Sequence, residues 1–246
     1  MLKRLVISCF LILLTIGLKA QNDAYDGATV IYSNQFYGGG QMLTAGFGGQ
    51  LVLGKYSGYN NIKLKSIEIL KLKHPKELKL SNNNGDNSRR FVYGKINAFQ
   101  TVRLGIGRKK IFTDKLRKGA MSLGFVYTFG PSLGLSKPIY VEIGEIGSGP
   151  SVSQRYDPDI HEFRDIRGKS SFFKGTFETK IEPGVFAKAA ALFEISTEKS
   201  GIQQVEVGAS LDVFTRRVPI FANSENKQFF INLFISYSLG RKYIKR

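Results

Sequence analysis

From Phe229 every second residue is apolar: Phe229, Ile231, Leu233, Ile235, Tyr237 and Leu239 are interleaved with Asn232, Phe234, Ser236, Ser238 and Gly240. A period of two marks a strand with two unlike faces. The preceding segment repeats it, with Val205, Val207, Ala209, Leu211 and Val213 opposite Glu206, Gly208, Ser210 and Asp212. Val185, Ala187, Ala189, Ala191, Phe193 and Ile195 stand opposite Lys188 and Glu194. Met121 to Leu133 alternates against Ser122, Gly124, Thr128, Gly130 and Ser132, and Leu43 to Leu53 against Thr44, Gly46, Gly48 and Gln50. A sixth segment, Ala98 to Ile106, carries Arg103 on its polar face. Asn61 to Lys73 reads as a strand whose phase slips between Leu64 and Ile67, as a bulge would produce. Ala28 to Phe36 is the eighth candidate, and the pattern allows eight to ten strands.

These segments run to about 12 to 15 residues, longer than the ~5 to 6 usual in soluble sheets and long enough for a tilted strand to cross a bilayer. The face opposite the apolar one is rich in Gly, Ser and charge, which suits a lumen better than a second packed layer. The connections alternate short and long. The fold class expected is therefore all-β, a transmembrane antiparallel up-and-down β-barrel. With both termini periplasmic, the outer loops fall at 37–41, 74–92, 134–182 and 216–226, and Pro138 to Ile143 reads as strand extension above the membrane. A secreted soluble sandwich or calycin-like barrel is the competing reading.

The beginning of the chain is different. Met1-Leu-Lys-Arg4 is followed by an apolar run of fourteen residues, Leu5 to Leu18, and by Leu18-Lys19-Ala20. This predicts a secretory signal peptide over 1–20, cleaved after Ala20, with one barrel domain over 21–246. The run is too short for a spanning helix, and cleavage ahead of Cys9 would leave too little apolar sequence for a lipoprotein signal. Of 246 residues, 36 are Lys or Arg and 19 Asp or Glu. The cleaved chain would keep 33 basic residues and all 19 acids, and would lose its one cysteine. An exported chain so basic points to anionic membrane lipid and lipopolysaccharide as its counter-charge, and to other envelope proteins as partners, rather than to nucleic acid.

Several longer strings have a family likeness. His74-Pro-Lys-Glu77, Asn87-Ser-Arg-Arg-Phe-Val-Tyr-Gly-Lys-Ile-Asn97, Leu133-Gly-Leu-Ser-Lys-Pro-Ile-Tyr-Val-Glu142, Phe172-Phe-Lys-Gly175 and Gln228-Phe-Phe-Ile-Asn-Leu-Phe-Ile-Ser-Tyr-Ser-Leu-Gly-Arg-Lys242 resemble a family of outer-membrane barrel proteins from Bacteroidota. The likeness spans essentially the whole chain after residue 20. It implies the barrel fold, and since the family has no settled activity, no catalytic residue is carried over. Outer-membrane strands often finish on an aromatic residue, whereas here Tyr243 is followed by Ile244-Lys-Arg246.

Candidate chemistry is sparse. Two histidines, His74 and His161, fall in expected outer loops. A lipid hydrolase would need one of them beside a serine and an acid, such as Ser151 or Ser153 with Glu162, and nothing in the spacing joins them. Asp157, Asp159, Glu162 and Asp165 concentrate oxygen ligands but lack the turn glycine and spacing of a calcium loop, so no metal and no cofactor are expected. Arg103, Lys188, Glu194, Glu206 and Asp212 should share the lumen, where an eight-stranded bore would force them to pair. Arg108, Lys109, Lys110, Arg117, Lys118, Arg241 and Lys242 form an expected periplasmic basic rim. The long third loop, with Tyr156, Asp157, Asp159, His161, Phe172 and Phe173, is the candidate docking loop. The expectation is a non-enzymatic accessory or docking subunit of an envelope complex for barrel assembly, secretion or surface-glycan handling. A narrow pore is the alternative, and a lipid-modifying hydrolase a third reading.

Overall fold

The structure, a computed structural model, describes residues 32–58, 60–74, 76–80, 90–113, 121–144, 151–195, 200–222 and 226–244. The expected signal peptide, the Asn- and Gly-rich stretch from Asn83 to Ser88, and Arg117 and Lys118 lie outside the described residues.

In chain order the strands are β1 (Asn34–Leu43), β2 (Gly46–Tyr56), β3 (Asn61–Leu72), β4 (Lys79–Leu80), β5 (Phe91–Val92), β6 (Asn97–Ile111), β7 (Ser122–Pro138), β8 (Tyr140–Ile143), β9 (Val152–Arg155), β10 (Ile166–Lys169), β11 (Lys180–Glu194), β12 (Gly201–Val218) and β13 (Lys227–Tyr243). Eight of them close a barrel in the order β1-β13-β12-β11-β7-β6-β3-β2, every pair antiparallel. Closure pairs each of the eight strands on both sides and leaves the barrel no free edge, the condition for a sheet to cross hydrocarbon.

The barrel's polarity is inside-out. Leu51, Leu53, Ile67, Ile69, Leu104, Ile106, Phe125, Phe129, Leu233 and Ile235 are exposed on the outer wall, while Glu68, Arg103, Lys188, Glu206 and Asp212 are buried within. On β13 the outward run from Phe229 to Leu239 spans about 25 Å once strand tilt is allowed for, the height of a membrane barrel's apolar band. Aromatic residues flank that band, with Phe36, Phe112 and Tyr243 exposed at the end holding the termini and Phe47 and Phe229 at the distal end. This is a transmembrane up-and-down barrel of eight strands.

Four expectations are corrected. The first distal connection is at Thr44-Ala45, not 37–41, because Gly38-Gly39-Gly40 lie inside β1. Those glycines are wall residues: a Cβ on Gly39 would stand 1.9 Å from the Tyr237 carbonyl oxygen. No bulge interrupts β3, which pairs without a shift on both sides. Its apparent slip arises because the interior near the termini is apolar, with Ile62 and Leu64 pointing in and Lys63 and Lys65 out. The long third loop is shorter than 134–182, since β7 runs to Pro138 and β11 starts at Lys180. Beyond Pro138 the chain does not extend the barrel wall. Tyr140–Ile143 becomes the middle strand of a separate three-stranded sheet, β10-β8-β9.

Candidate functional site

The bore is filled by side chains at three levels. At the distal end Leu43, Leu70, Leu72, Phe99, Phe214 and Phe234 form an apolar plug, with the Phe99 and Phe214 rings edge to face at 5.2 Å. Below it Arg103 grips Asp212 bidentately, Nε to Oδ1 at 2.8 Å and Nη2 to Oδ2 at 2.5 Å, and donates from Nη1 to Glu68 Oε2 at 3.1 Å. Lys188 donates to Glu68 Oε1 at 3.0 Å and Gln50 Oε1 at 2.7 Å, and lies 3.5 Å from Glu206. Nearer the termini Lys109 and Lys242 share the Glu194 carboxylate at 3.2 and 2.7 Å. Alternation places all eight charges on inward positions, where unpaired burial would cost several kcal/mol per ion. Four cations meet four carboxylates, and the bore carries no net charge from them.

The five lumen residues named from sequence thus sit inside, but in two groups: Arg103, Lys188, Glu206 and Asp212 together, with Glu194 apart. Sequence reasoning missed Glu68, which bridges Arg103 and Lys188, because the supposed slip in β3 hid its inward phase. The basic rim divides as well. Arg108, Lys110 and Arg241 are exposed at the end holding the termini, whereas Lys109 is completely buried and Lys242 turns inward to Glu194. Lys55, Lys63 and Lys65 join Arg108 in lining a groove on the outer wall at that end.

Over the distal mouth lies a cap with its own core. Val141 from β8, Ile166 from β10, Phe91 from β5 and Tyr156 after β9 are buried together, with Ile139, Ile143 and Phe163 against them. The cap is laced to the rim through main chain. Ile139 donates to the Ile96 carbonyl at 2.9 Å, Tyr156 to that of Ile139 at 2.9 Å, and Ile96 to that of Ile220 at 3.1 Å. The Tyr156 hydroxyl accepts a bond from the Gly94 amide at 3.1 Å, where Gly94 turns with φ +81°. Burial holds the Tyr156 hydroxyl above the ordinary tyrosine range.

The expected docking loop is split by this packing. Tyr156 and His161 are buried, the His161 ring accepting the Asp157 amide on Nδ1 and meeting Gln154 Oε1 at 3.2 Å on Nε2. Ser153 pairs with Ser170 at 2.6 Å, and the His161 ring nitrogens are taken by the Asp157 amide and Gln154. Asp157 accepts the Asp159 amide, and Glu162 and Asp165 close a capping box around a short 3-10 turn, Phe163–Asp165. These acids serve local turns. Among the described residues no group of three or more His, Cys, Asp or Glu is arranged to hold a metal ion. Phe172 and Phe173 lie elsewhere, in a turn folded against the outward side of β7. There Lys137 Nζ bonds the Phe172 carbonyl and Thr176, and sits 4.2 Å over the Phe172 ring. Tyr140 donates to Glu178, and Gly175, at φ +75°, lets the turn close against the Tyr140 ring.

No family model matches the chain, and no curated protein does. Among solved structures it is similar to Neisserial surface protein A (NspA), with 9% identity over 86% of this chain and 96% of that one at a TM-score of 0.37. It is also similar to Ail, the attachment invasion locus protein of Yersinia pestis, in complex with the heparin analogue sucrose octasulfate. There identity is 10% over 85% of this chain and 96% of that one, at a TM-score of 0.38. Likenesses this distant carry no functional argument, and the membrane reading rests on the barrel's own inside-out polarity.

Proposed function

We propose that the protein is a non-enzymatic integral outer-membrane barrel that serves as an accessory or docking subunit of an envelope complex, in barrel assembly, secretion or surface-glycan handling. The observation that carries this reading is the division of labour in the fold. The bore is filled by an apolar plug and by charges that cancel, while the distal mouth bears a cap with a separate core. A filled bore leaves the cap and rim as the surfaces available for work. Ile160 and Val152 are exposed on that cap and offer apolar contact to a partner.

The test is affinity isolation of the tagged native protein from outer membranes solubilised in mild detergent, beside an I160K/V152K variant. A stoichiometric set of envelope proteins held by the native chain and lost by the variant is the expected result. Recovery of the barrel alone overturns the docking role. The narrow-pore reading is tested in planar bilayers, where the filled bore should give no steady ion current. A current that changes on Lys188 or Glu194 substitution would favour the pore instead.

A further inference from the structure

Outside the bore, the distal rim holds a second concentration of charge, and among the described residues most of it has no carboxylate partner. A cleft of about 430 Å³ is lined by Lys71, Lys73, Lys79, Arg90, Lys95 and Lys169. Of the described residues lining it, Glu77 is the one carboxylate, and Lys95 already holds it at 2.6 Å. No carboxylate among the described residues lies within ion-pair distance of the other five cations. Burial, followed by the repulsion of Lys71, Lys95, Lys137 and Lys79, holds the Lys169 ammonium below the usual lysine range.

The position of the cleft narrows what could fill it. Lys71 is outward on β3, directly after the lipid-facing pair Ile67 and Ile69, and is in register with Phe47 on β2 and Gln100 on β6. The cleft therefore begins where the apolar band ends, at the level of lipid headgroups. Its floor is apolar, from Phe47, Ala98 and Ile139, and Lys73 lies over the Phe47 ring at 5.3 Å. Beside it the Phe172-Phe173 turn presents aromatic rings on the lipid side of the wall, with Lys169 5.9 Å over the Phe172 ring. Cations ringing an apolar floor at this height match a molecule that is anionic above and hydrocarbon below.

We infer that this cleft binds the phosphorylated headgroup of an outer-leaflet glycolipid, with its phosphates among Lys71, Lys73 and Lys169 and its first acyl carbons on Phe47 and the Phe172-Phe173 turn. The inference rests on the reading that the distal end faces outward. Labelling of an I160C variant on intact cells checks that orientation by itself.

The experiment uses the full chain in nanodiscs of phosphatidylethanolamine doped with diphosphorylated lipid A, with retained lipid counted by native mass spectrometry. The unaltered chain should retain lipid A. The K71Q/K169Q variant should retain it about tenfold more weakly, and K71R/K169R should hold it as the parent does. Equal retention by K71Q/K169Q overturns the site. Displacement of lipid A by inorganic phosphate or by a soluble sulfated polysaccharide, bound as tightly in its place, overturns the lipid assignment. Heat-modifiable migration on gels verifies the barrel in each variant. Should K71Q/K169Q not fold, K73Q and the salt dependence of the parent carry the test: retention unaffected by both K73Q and salt refutes the site.

Discussion

The bore and the distal rim are built from the same charged residue types and resolve them in opposite ways. Inside, Arg103, Lys188, Lys109 and Lys242 each reach a carboxylate, because a buried ion without a partner would be too costly to keep. At the rim, among the described residues, six cations line a cleft with a single carboxylate, a surplus that the adjacent headgroup layer can screen or bind. Paired charge therefore marks structure here, and unpaired charge marks a surface turned to something outside the chain. The same logic separates the basic residues at the other end, where Lys109 is structural and Arg108 faces the lipid boundary.

The comparison breaks most visibly at Arg103. R103L would strand Asp212 in the bore and leave Glu68 with Lys188 as its remaining cation, and should cost about 3–5 kcal/mol, read as a lower urea midpoint for unfolding in micelles. R103L/D212L should recover part of that loss, since removing the pair together leaves fewer uncompensated charges. By contrast K71Q/K169Q at the rim should leave the midpoint within about 0.5 kcal/mol, as exposed charges do. Equal losses at both places would erase the distinction. A smaller effect is expected in the cap. Y156F removes the acceptor of the Gly94 amide and should cost about 1 kcal/mol locally, seen as faster hydrogen exchange over residues 93–96 with the barrel strands unchanged.

The smallest effect concerns His74, which stacks on Phe221 at 5.2 Å near the rim. Burial, with the positive charges of Lys76 and Lys227, holds its imidazole below the usual histidine range. Its neutral form is therefore favoured in the folded chain. The small stability it contributes is present above the ordinary histidine value and is lost as pH falls through the lowered folded one. Titration followed by NMR should place His74 below about 6.5, and K227Q should move it upward. A value at or above the ordinary one would remove His74 from the cationic rim's influence.

Much of the barrel was legible because period two survives in any strand whose faces meet different solvents. The lipid-facing run of β13 and the inward places of Arg103, Lys188, Glu206 and Asp212 follow from alternation alone. Reading failed where the two solvents change along a strand. Near the termini the interior turns apolar and the outer wall takes lysines, so Ile62 to Lys65 looked out of phase and Glu68 was missed. The glycines of β1 resembled a turn because composition cannot distinguish a bend from a wall, here one where neighbouring main chain leaves Gly39 no room for a Cβ. Lys109 and Lys242 looked like rim residues because charge runs do not reveal which member points inward.

By itself, then, the sequence determined the fold class, the approximate strands and the sign of each face, since these follow from local periodicity against hydrocarbon or a polar bore. Tertiary structure alone decided who pairs with whom. Glu68 meets Arg103 through the register of neighbouring strands β3 and β6, and reaches Lys188 only because closure brings β11 round the same axis. Tyr156 becomes core rather than docking surface only because the third loop folds back on β5, and His161 is buried beside it. The rim cleft arises where β2, β3, the β4–β5 hairpin and β10 converge, gathering lysines nearly a hundred residues apart into one field. Long-range closure brings such groups together, and no local pattern encodes it.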